Sequence, residues 1–315
     1  MNYLEKKKEM PRPPKKEISI SQRIEIPIPQ QKSKEYFNPN DFKMLQVLGE
    51  GEYGKIYLVQ WIKNNNQYYA MKKEIFTNEE ELKKSQNITK IVKNFLKKTN
   101  SLGVIKIYGD MCQKMNNTYN YYVLMERSER DMEQELIIRC NNNYQFYTET
   151  DLINILCQLI FVLAELQKNN IAHRDIKPQN ILIIQGRYKL SDFGESIITK
   201  NNNPISQEIR GTELYMSPIL FFGLKQKLQQ IQHNVYKSDV FSLGLCILLA
   251  GTFNYDSIVS IRELTDMNKI HYVLMYYLSG RYSHNLILFL LRMLEVDENK
   301  RPDFIQLESM LVKKK

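Results

Sequence analysis

Cysteine, tryptophan and histidine are scarce in this 315-residue chain, which has four, one and four of them. Cys112, Cys140, Cys157 and Cys246 form no CxxC pair and no metal-ligand spacing, which excludes a zinc ribbon and a disulfide framework. They are expected to be reduced core thiols. Long apolar runs are also missing. The longest, Phe241 to Phe253, falls well short of the ~20 residues that a membrane-spanning helix needs. Met1 leads into Lys6-Lys7-Lys8 and Pro11 without an apolar stretch, so no secretory signal is expected and an intracellular place, cytoplasmic or nuclear, is.

The net charge of +9 is unevenly spread. Residues 1–40 hold nine Lys/Arg against five Glu, and Lys313-Lys314-Lys315 close the chain, so about +2 is left for the body between them. A basic groove of the kind that grips nucleic acid is not indicated, and no nucleic-acid partner is expected. The basic leader suits an acidic partner or a membrane surface, or is a solvated tail. What the chain does have is apolar material, 43% of residues, with 20 Tyr and 13 Phe, enough for a large buried core.

Three segments follow: a basic, Pro-containing leader over residues 1–41, a body over 42–312 and the tail 313–315. Pro11, Pro13, Pro14, Pro27, Pro29 and Pro39 forbid long helices in the leader, and Ile18 to Ile28 has the alternation of an edge strand. From Phe42 the pattern predicts strands at Phe42–Leu45, Lys55–Val59, Gln67–Glu74, Val104–Met111 and Tyr121–Met125, with one helix over Thr77–Lys98. After Glu126 helices dominate: Asp151–Asn169, Phe241–Gly251 and Ile287–Leu294, with a short hairpin of Ile181–Ile184 and Tyr188–Ser191. The asparagine runs at 64–66, 141–143 and 201–203 read as loop insertions.

Chemistry concentrates in three places. Leu48-Gly49-Glu50-Gly51-Glu52-Tyr53-Gly54-Lys55-Ile56 sets glycines where a backbone approaches a polyphosphate, and strand rather than helix follows it, against a dinucleotide-binding unit. Ala70 and Lys72 share one face of a strand, a small residue and an amine suited to a flat base and its phosphates. His173-Arg174-Asp175-Ile176-Lys177-Pro178-Gln179-Asn180, followed by Asp192-Phe193-Gly194, is by far the most specific signal.

With these motifs the chain resembles the eukaryotic protein kinase family, and Lys177-Pro178 resembles its serine/threonine branch. The likeness runs from about residue 42 to 311 and takes in Gly211-Thr212, Ser217-Pro218, Asp239 to Gly244 and Arg301-Pro302. It implies an α+β bilobal fold, with a small antiparallel-sheet lobe (42–126) bearing one helix and a larger, mainly helical lobe (127–312). It implies ATP and Mg²⁺ as cofactors and a protein substrate with a Ser/Thr acceptor. Asp175 would orient the hydroxyl and accept its proton, and Lys177 would offset phosphoryl charge. Asn180 and Asp192 would bind metal, and Lys72 the α/β-phosphates. Met125, Glu126, Ser128 and Leu182 would join the glycine loop and Ala70 around the base. His173, Arg174, Phe193, Gly194, Asp239 and Arg301 would be structural or regulatory, and Thr199 and Ser206 are candidate phosphorylation sites.

Two acids of the family pattern are missing. The helix position that faces the strand lysine falls near Thr89–Lys93, where no acid lies, and Glu79, Glu80 and Glu81 reach Lys72 only if the following loop is long. Ile219 stands where the family has a glutamate for Arg301, so Arg301 is expected to find another acceptor or to reach water. Leu220–Tyr236 reads as a Gln-rich insertion. An active kinase is the leading expectation. The alternative is a pseudokinase, a nucleotide-binding scaffold with little or no turnover.

Overall fold

The computed structural model describes residues 37–51, 54–64, 66–200 and 203–312. The expected edge strand at Ile18–Ile28, the tail Lys313–Lys315, and Glu52 and Tyr53 of the glycine loop lie outside them. The smaller lobe is an antiparallel sheet of β1 (Phe42–Gly51), β2 (Gly54–Trp61), β3 (Tyr68–Phe76), β4 (Ile107–Met115) and β5 (Thr118–Met125), in the order β1-β2-β3-β5-β4. Strand alternation sorts its core onto two faces. Tyr122 and Leu124 join Val59, Tyr69 and Met71 on one side, while Tyr121 and Val123 join Phe76 and Leu82 on the other. The second face meets α1 (Glu79–Thr99). That helix begins at Asn78, whose side chain accepts the Glu80 N–H, and ends at Asn100 in the left-handed conformation. Glu79, Glu80 and Glu81 fill its first turn and Lys97 and Lys98 its last, as the helix dipole favours.

The larger lobe packs α2 (Met132–Asn141), α3 (Glu149–Lys168), α4 (Pro218–Lys225), α5 (Val235–Thr252), α6 (Tyr255–Arg262), α7 (Met267–Leu278), α8 (His284–Met293) and α9 (Phe304–Val312). A Thr148–Asp151 capping box starts α3. Helix α5 is the only one among the described residues long and apolar enough to cross a membrane, and 94% of it is buried inside the fold. Its apolar surface is spent on the core, where Val240, Phe241, Leu245 and Leu248 are fully enclosed.

Short strands carry the functional loops. β6 (Arg130–Asp131), β8 (Ile181–Ile184) and β9 (Arg187–Leu190) form one sheet. β7 (Ile171–Ala172) pairs with β10 (Ile197–Ile198), and β11 (Ile205–Glu208) with β12 (Gln230–His233). The result is the expected bilobal α+β architecture.

Three boundaries differ from the sequence pattern. Phe37 already packs on the sheet, because Gly109 leaves it room: a Cβ at Gly109 would lie 2.6 Å from the Phe37 Cβ. The packed body therefore starts inside the expected leader. Val104 and Ile105 do not join β4. Val104 bridges to Leu190, and Ile105 N–H donates to the Leu190 carbonyl, stapling the smaller lobe to β9. The Gln-rich insertion becomes most of α4, then β12 and the first two residues of α5; in β12 exposed Gln230 and Gln232 alternate with half-buried Ile231 and buried His233.

Candidate active site

The loop from β7 to β8 carries His173 through Asn180. Its shape is fixed from below by Asp239 on α5, whose carboxylate accepts the N–H of His173 at 2.9 Å and that of Arg174 at 2.9 and 3.2 Å. Arg174 has φ +67°, a left-handed conformation costly for a long side chain, and these bonds hold it there. Burial pushes the Asp239 carboxyl up to about 7, opposed by the N–H donors, which favour the anion. His173 is fully buried; its Nδ1 accepts the Asp175 N–H, which leaves Nε2 to donate to the Ser191 carbonyl at 3.0 Å. Burial also pulls the His173 imidazole below its ordinary value, in keeping with this neutral tautomer. Its ring packs on Phe193, 4.8 Å between centroids, and so ties this loop to Asp192-Phe193-Gly194.

Asp175 meets four donors. Oδ2 accepts from Lys177 Nζ at 2.7 Å and from Asn180 Nδ2 at 2.9 Å. Oδ1 accepts from the Thr212 N–H at 3.0 Å and the Thr212 hydroxyl at 2.8 Å. Lys177 Nζ also donates to Thr212 Oγ1 at 2.9 Å, closing a ring of three side chains. Gly211 makes this approach feasible: it has φ +105°, and a Cβ there would stand 2.6 Å from the Arg174 carbonyl. Asn180 gives its amide nitrogen to Asp175, so its carbonyl oxygen is the atom left for a cation.

Lys72 Nζ lies 3.3 Å from Asp192 Oδ1 and 2.9 Å from Glu74 Oε1. Burial alone would lower the Lys72 ammonium, but the two carboxylates outweigh it and hold it above its ordinary value. Burial likewise favours neutral Asp192, and Lys72 more than reverses that, holding its carboxyl low. Both groups are therefore charged at neutral pH. The three glutamates that open α1 do not supply the missing helix acid. Glu79 and Glu80 pair with Lys83 and Lys84 on the exposed start of the helix, and Glu81 is exposed. Glu74 is a partner that the family pattern does not point to, although the alternation that places Ala70 and Lys72 on one face places it there too.

The glycines of the β1–β2 turn separate into two kinds. A Cβ on Gly49 or Gly51 would meet nothing within 4 Å, whereas one on Gly54 would fall 1.9 Å from the Lys73 carbonyl oxygen. Gly54 is required by the close approach of β3 rather than by open space for a ligand. Leu48 is exposed at the turn, Lys55 pairs with Glu50 at 3.1 Å, and Ile56 sits opposite Lys72 in the β2–β3 register. Met125 sits opposite Ala70, at the end of β5 where the chain crosses to the larger lobe. Glu126 fastens that crossing: its carboxylate accepts from Lys189 at 2.7 Å and from the Lys106 N–H at 2.7 Å. Ser128 follows on the connection, and Leu182 lies on β8 opposite Asp131.

Thr199, a candidate phosphorylation site, is buried in this structure. It is 4% exposed, and its hydroxyl is 2.7 Å from the Tyr236 hydroxyl on α5. Ser206 is exposed on β11, with its hydroxyl 3.3 Å from Gln230 Oε1. Arg174 Nη2 donates to the Glu208 carbonyl at 2.5 Å, at the end of the same strand. Arg301 is 1% exposed and has exchanged the family's glutamate for three carbonyls. Nε donates to Glu295 at 2.6 Å, Nη1 to Lys237 at 3.0 Å and Nη2 to Val296 at 3.1 Å, with the guanidinium 4.9 Å above the Phe241 ring. Burial pulls it down to about 10, so it stays charged.

A family model described as a protein kinase domain matches residues 42–311. Among curated proteins the chain is 25% identical over 272 residues to "Probable serine/threonine-protein kinase nek2" of Dictyostelium discoideum, covering 85% of this chain and 62% of that protein. It is 29% identical over 271 residues to "Calcium-dependent protein kinase 6" of Plasmodium berghei, covering 84% and 16%. To "G2-specific protein kinase fin1" of Schizosaccharomyces pombe it is 27% identical over 293 residues, covering 84% and 38%. The chain thus spans less than two thirds of the length of each.

Proposed function

The chain belongs to the protein kinase family, and on that premise we propose that it is an active serine/threonine protein kinase that transfers the γ-phosphoryl group of ATP to a protein hydroxyl. The observation that carries this reading is the Asp175–Lys177–Thr212 ring, in a chain that also sets Lys72 against Asp192. An incoming hydroxyl takes the place of one Asp175 donor, and the rotatable Thr212 hydroxyl is the cheapest to displace. The hydroxyl oxygen bonds to the γ-phosphorus as the bond to the β,γ-bridging oxygen breaks. ADP leaves with that electron pair, and the hydroxyl proton passes to Asp175. Lys177 faces the charge spreading over the transferring group, and Lys72 holds the α/β-phosphates.

Mg²⁺ suits the donors present. Asp192 and Asn180 offer hard oxygens, and among the described residues no cluster of three or more His, Cys, Asp or Glu offers a full protein cage. The remaining ligands would be nucleotide phosphates and water, and when bound the ion neutralises charge on those phosphates.

The test is transfer of radiolabelled phosphate from Mg·ATP to a generic protein substrate, with Asp192→Asn alongside. Incorporation by the wild type that is lost in the variant, with its melting temperature kept, supports the kinase. A nucleotide-dependent rise in melting temperature without incorporation would identify a pseudokinase scaffold instead.

The glycine turn yields a second prediction, because space and strain separate there. Gly49→Ala and Gly51→Ala are expected to weaken ATP binding while leaving stability within about 0.5 kcal/mol. Gly54→Ala must push β2 off β3 and is expected to cost about 1–3 kcal/mol. Urea unfolding and nucleotide titration of the three variants check this. Equal stability losses at all three positions would contradict it.

A further inference from the structure

The strand lysine of this chain has a carboxylate partner, and that partner does not come from the helix. We propose that Glu74, on the same strand and face as Lys72, is the positioning residue that aims the Lys72 ammonium at the nucleotide phosphates, so that lysine alignment is built into β3 and needs no acid on α1. This deepens the kinase reading and rests on it.

The geometry leaves Glu74 little freedom. It is 5% exposed, Oε1 lies 2.9 Å from Lys72 Nζ, and Oε2 accepts the Ser85 hydroxyl of α1 at 2.7 Å. The carboxylate is thus held at both oxygens, one by the lysine and one by the helix. Its backbone is equally fixed, since Glu74 sits between Gly54 on β2 and Tyr121 on β5. At the positions where a helix acid would be expected, Thr89 and Val92 are buried and carry no charge. Lys93 turns the polarity round, donating to Asp110 of β4 at 2.7 Å. Tyr121 donates to the same Asp110 at 3.0 Å, so that carboxylate is committed away from Lys72.

The consequence concerns what α1 does. A partner on a helix makes the lysine's alignment depend on where the helix docks. A partner two residues along the strand moves with the lysine. Among the described residues, the hydrogen bond from α1 to the pair is that of the neutral Ser85 hydroxyl, while the charged contact to Lys72 comes from the strand itself.

The experiment is a double-mutant cycle on kcat/KM for ATP with Glu74→Gln, Lys72→Met and the pair combined, beside Ser85→Ala. Melting temperatures are recorded for each, and Lys72→Gln takes the place of Lys72→Met if that variant does not fold. Glu74→Gln removes a charge-assisted bond and is expected to lower kcat/KM about ten- to hundredfold. In the Lys72 variant the same change is expected to lower it less than threefold, because a residue acting through the lysine has nothing left to position. Ser85→Ala removes one of the two holds on the carboxylate but not its charge, and is expected to lower kcat/KM by less than Glu74→Gln does. Equal losses in both backgrounds, or a Glu74→Gln effect under twofold, would overturn the proposal. Wild type without transfer refutes the kinase reading alone; the cycle is then read on the equilibrium Kd for Mg·ATP. Coupling of the two positions there supports the assignment, and independent losses overturn it.

Discussion

Asp175→Asn is expected to lower kcat by about 10²–10⁴-fold while leaving the affinity for ATP within a factor of three. The substitution keeps the side chain's size, so the fold is not at issue; the loss is chemical and has two parts. An amide cannot take the hydroxyl proton as phosphoryl transfer proceeds. It is also misfitted to its surroundings, because all four neighbours of Asp175 are donors. In one orientation the new NH₂ faces Lys177 Nζ and Asn180 Nδ2, and in the other it faces the N–H and hydroxyl of Thr212. Either flip sets donor against donor: Lys177 loses its acceptor in the first orientation, and the Thr212 N–H loses its own in the second. ATP affinity is spared because, among the described residues, no hydrogen bond or ion pair joins Asp175 to Lys72 or Asp192. Steady-state kinetics with a nucleotide titration checks both halves. A fall in kcat of less than tenfold, or an equal loss of nucleotide binding, would remove Asp175 from the proton-accepting role.

The outcome depends on Asp239 remaining in place, since its carboxylate sets the backbone that presents Asp175. That dependence was legible in the sequence through the family resemblance, which His173 to Asn180, Asp192 to Gly194 and Asp239 to Gly244 carry as contiguous motifs. The helices were legible for a different reason: α3 and α5 are long and strongly apolar, and short-range periodicity suffices to find them. What stayed hidden was every partner chosen in three dimensions. Thr199 reads as a polar loop hydroxyl until Tyr236 of α5 closes over it. Gly54 reads as one of three phosphate-loop glycines until β3 is seen to crowd it. Glu74 was within reach, since strand alternation puts it on the face of Lys72, whereas the family resemblance points to an acid on the helix. β12 was in reach as well. Its Gln230-Ile231-Gln232-His233 alternation is that of a half-buried strand, but only four residues long and with a single aliphatic side chain.

Arg301 shows the limit most sharply, because its partners are carbonyls, and a carbonyl leaves no trace in residue type. Arg301→Met is expected to lower stability by about 3–5 kcal/mol. It keeps the apolar contact with Phe241 but strands the Glu295, Lys237 and Val296 carbonyls in a corner that water does not reach. Arg301→Lys, with a single nitrogen, cannot span three acceptors set around a planar fork and is expected to lose nearly as much. Restoring the family's acid is expected to bring no gain. Ile219 packs with Met216, Leu220, Phe221, Ile209 and Ile231, so Ile219→Glu places a carboxylate against an apolar cluster while the guanidinium it would serve is already satisfied. Its melting temperature is therefore expected to fall, as that of Arg301→Met does by on the order of 10 °C. A rise on Ile219→Glu would mean that the three carbonyls hold Arg301 less well than one carboxylate would. In that case the α4–β12 corner would be a weakened version of the family's arrangement and not a replacement for it.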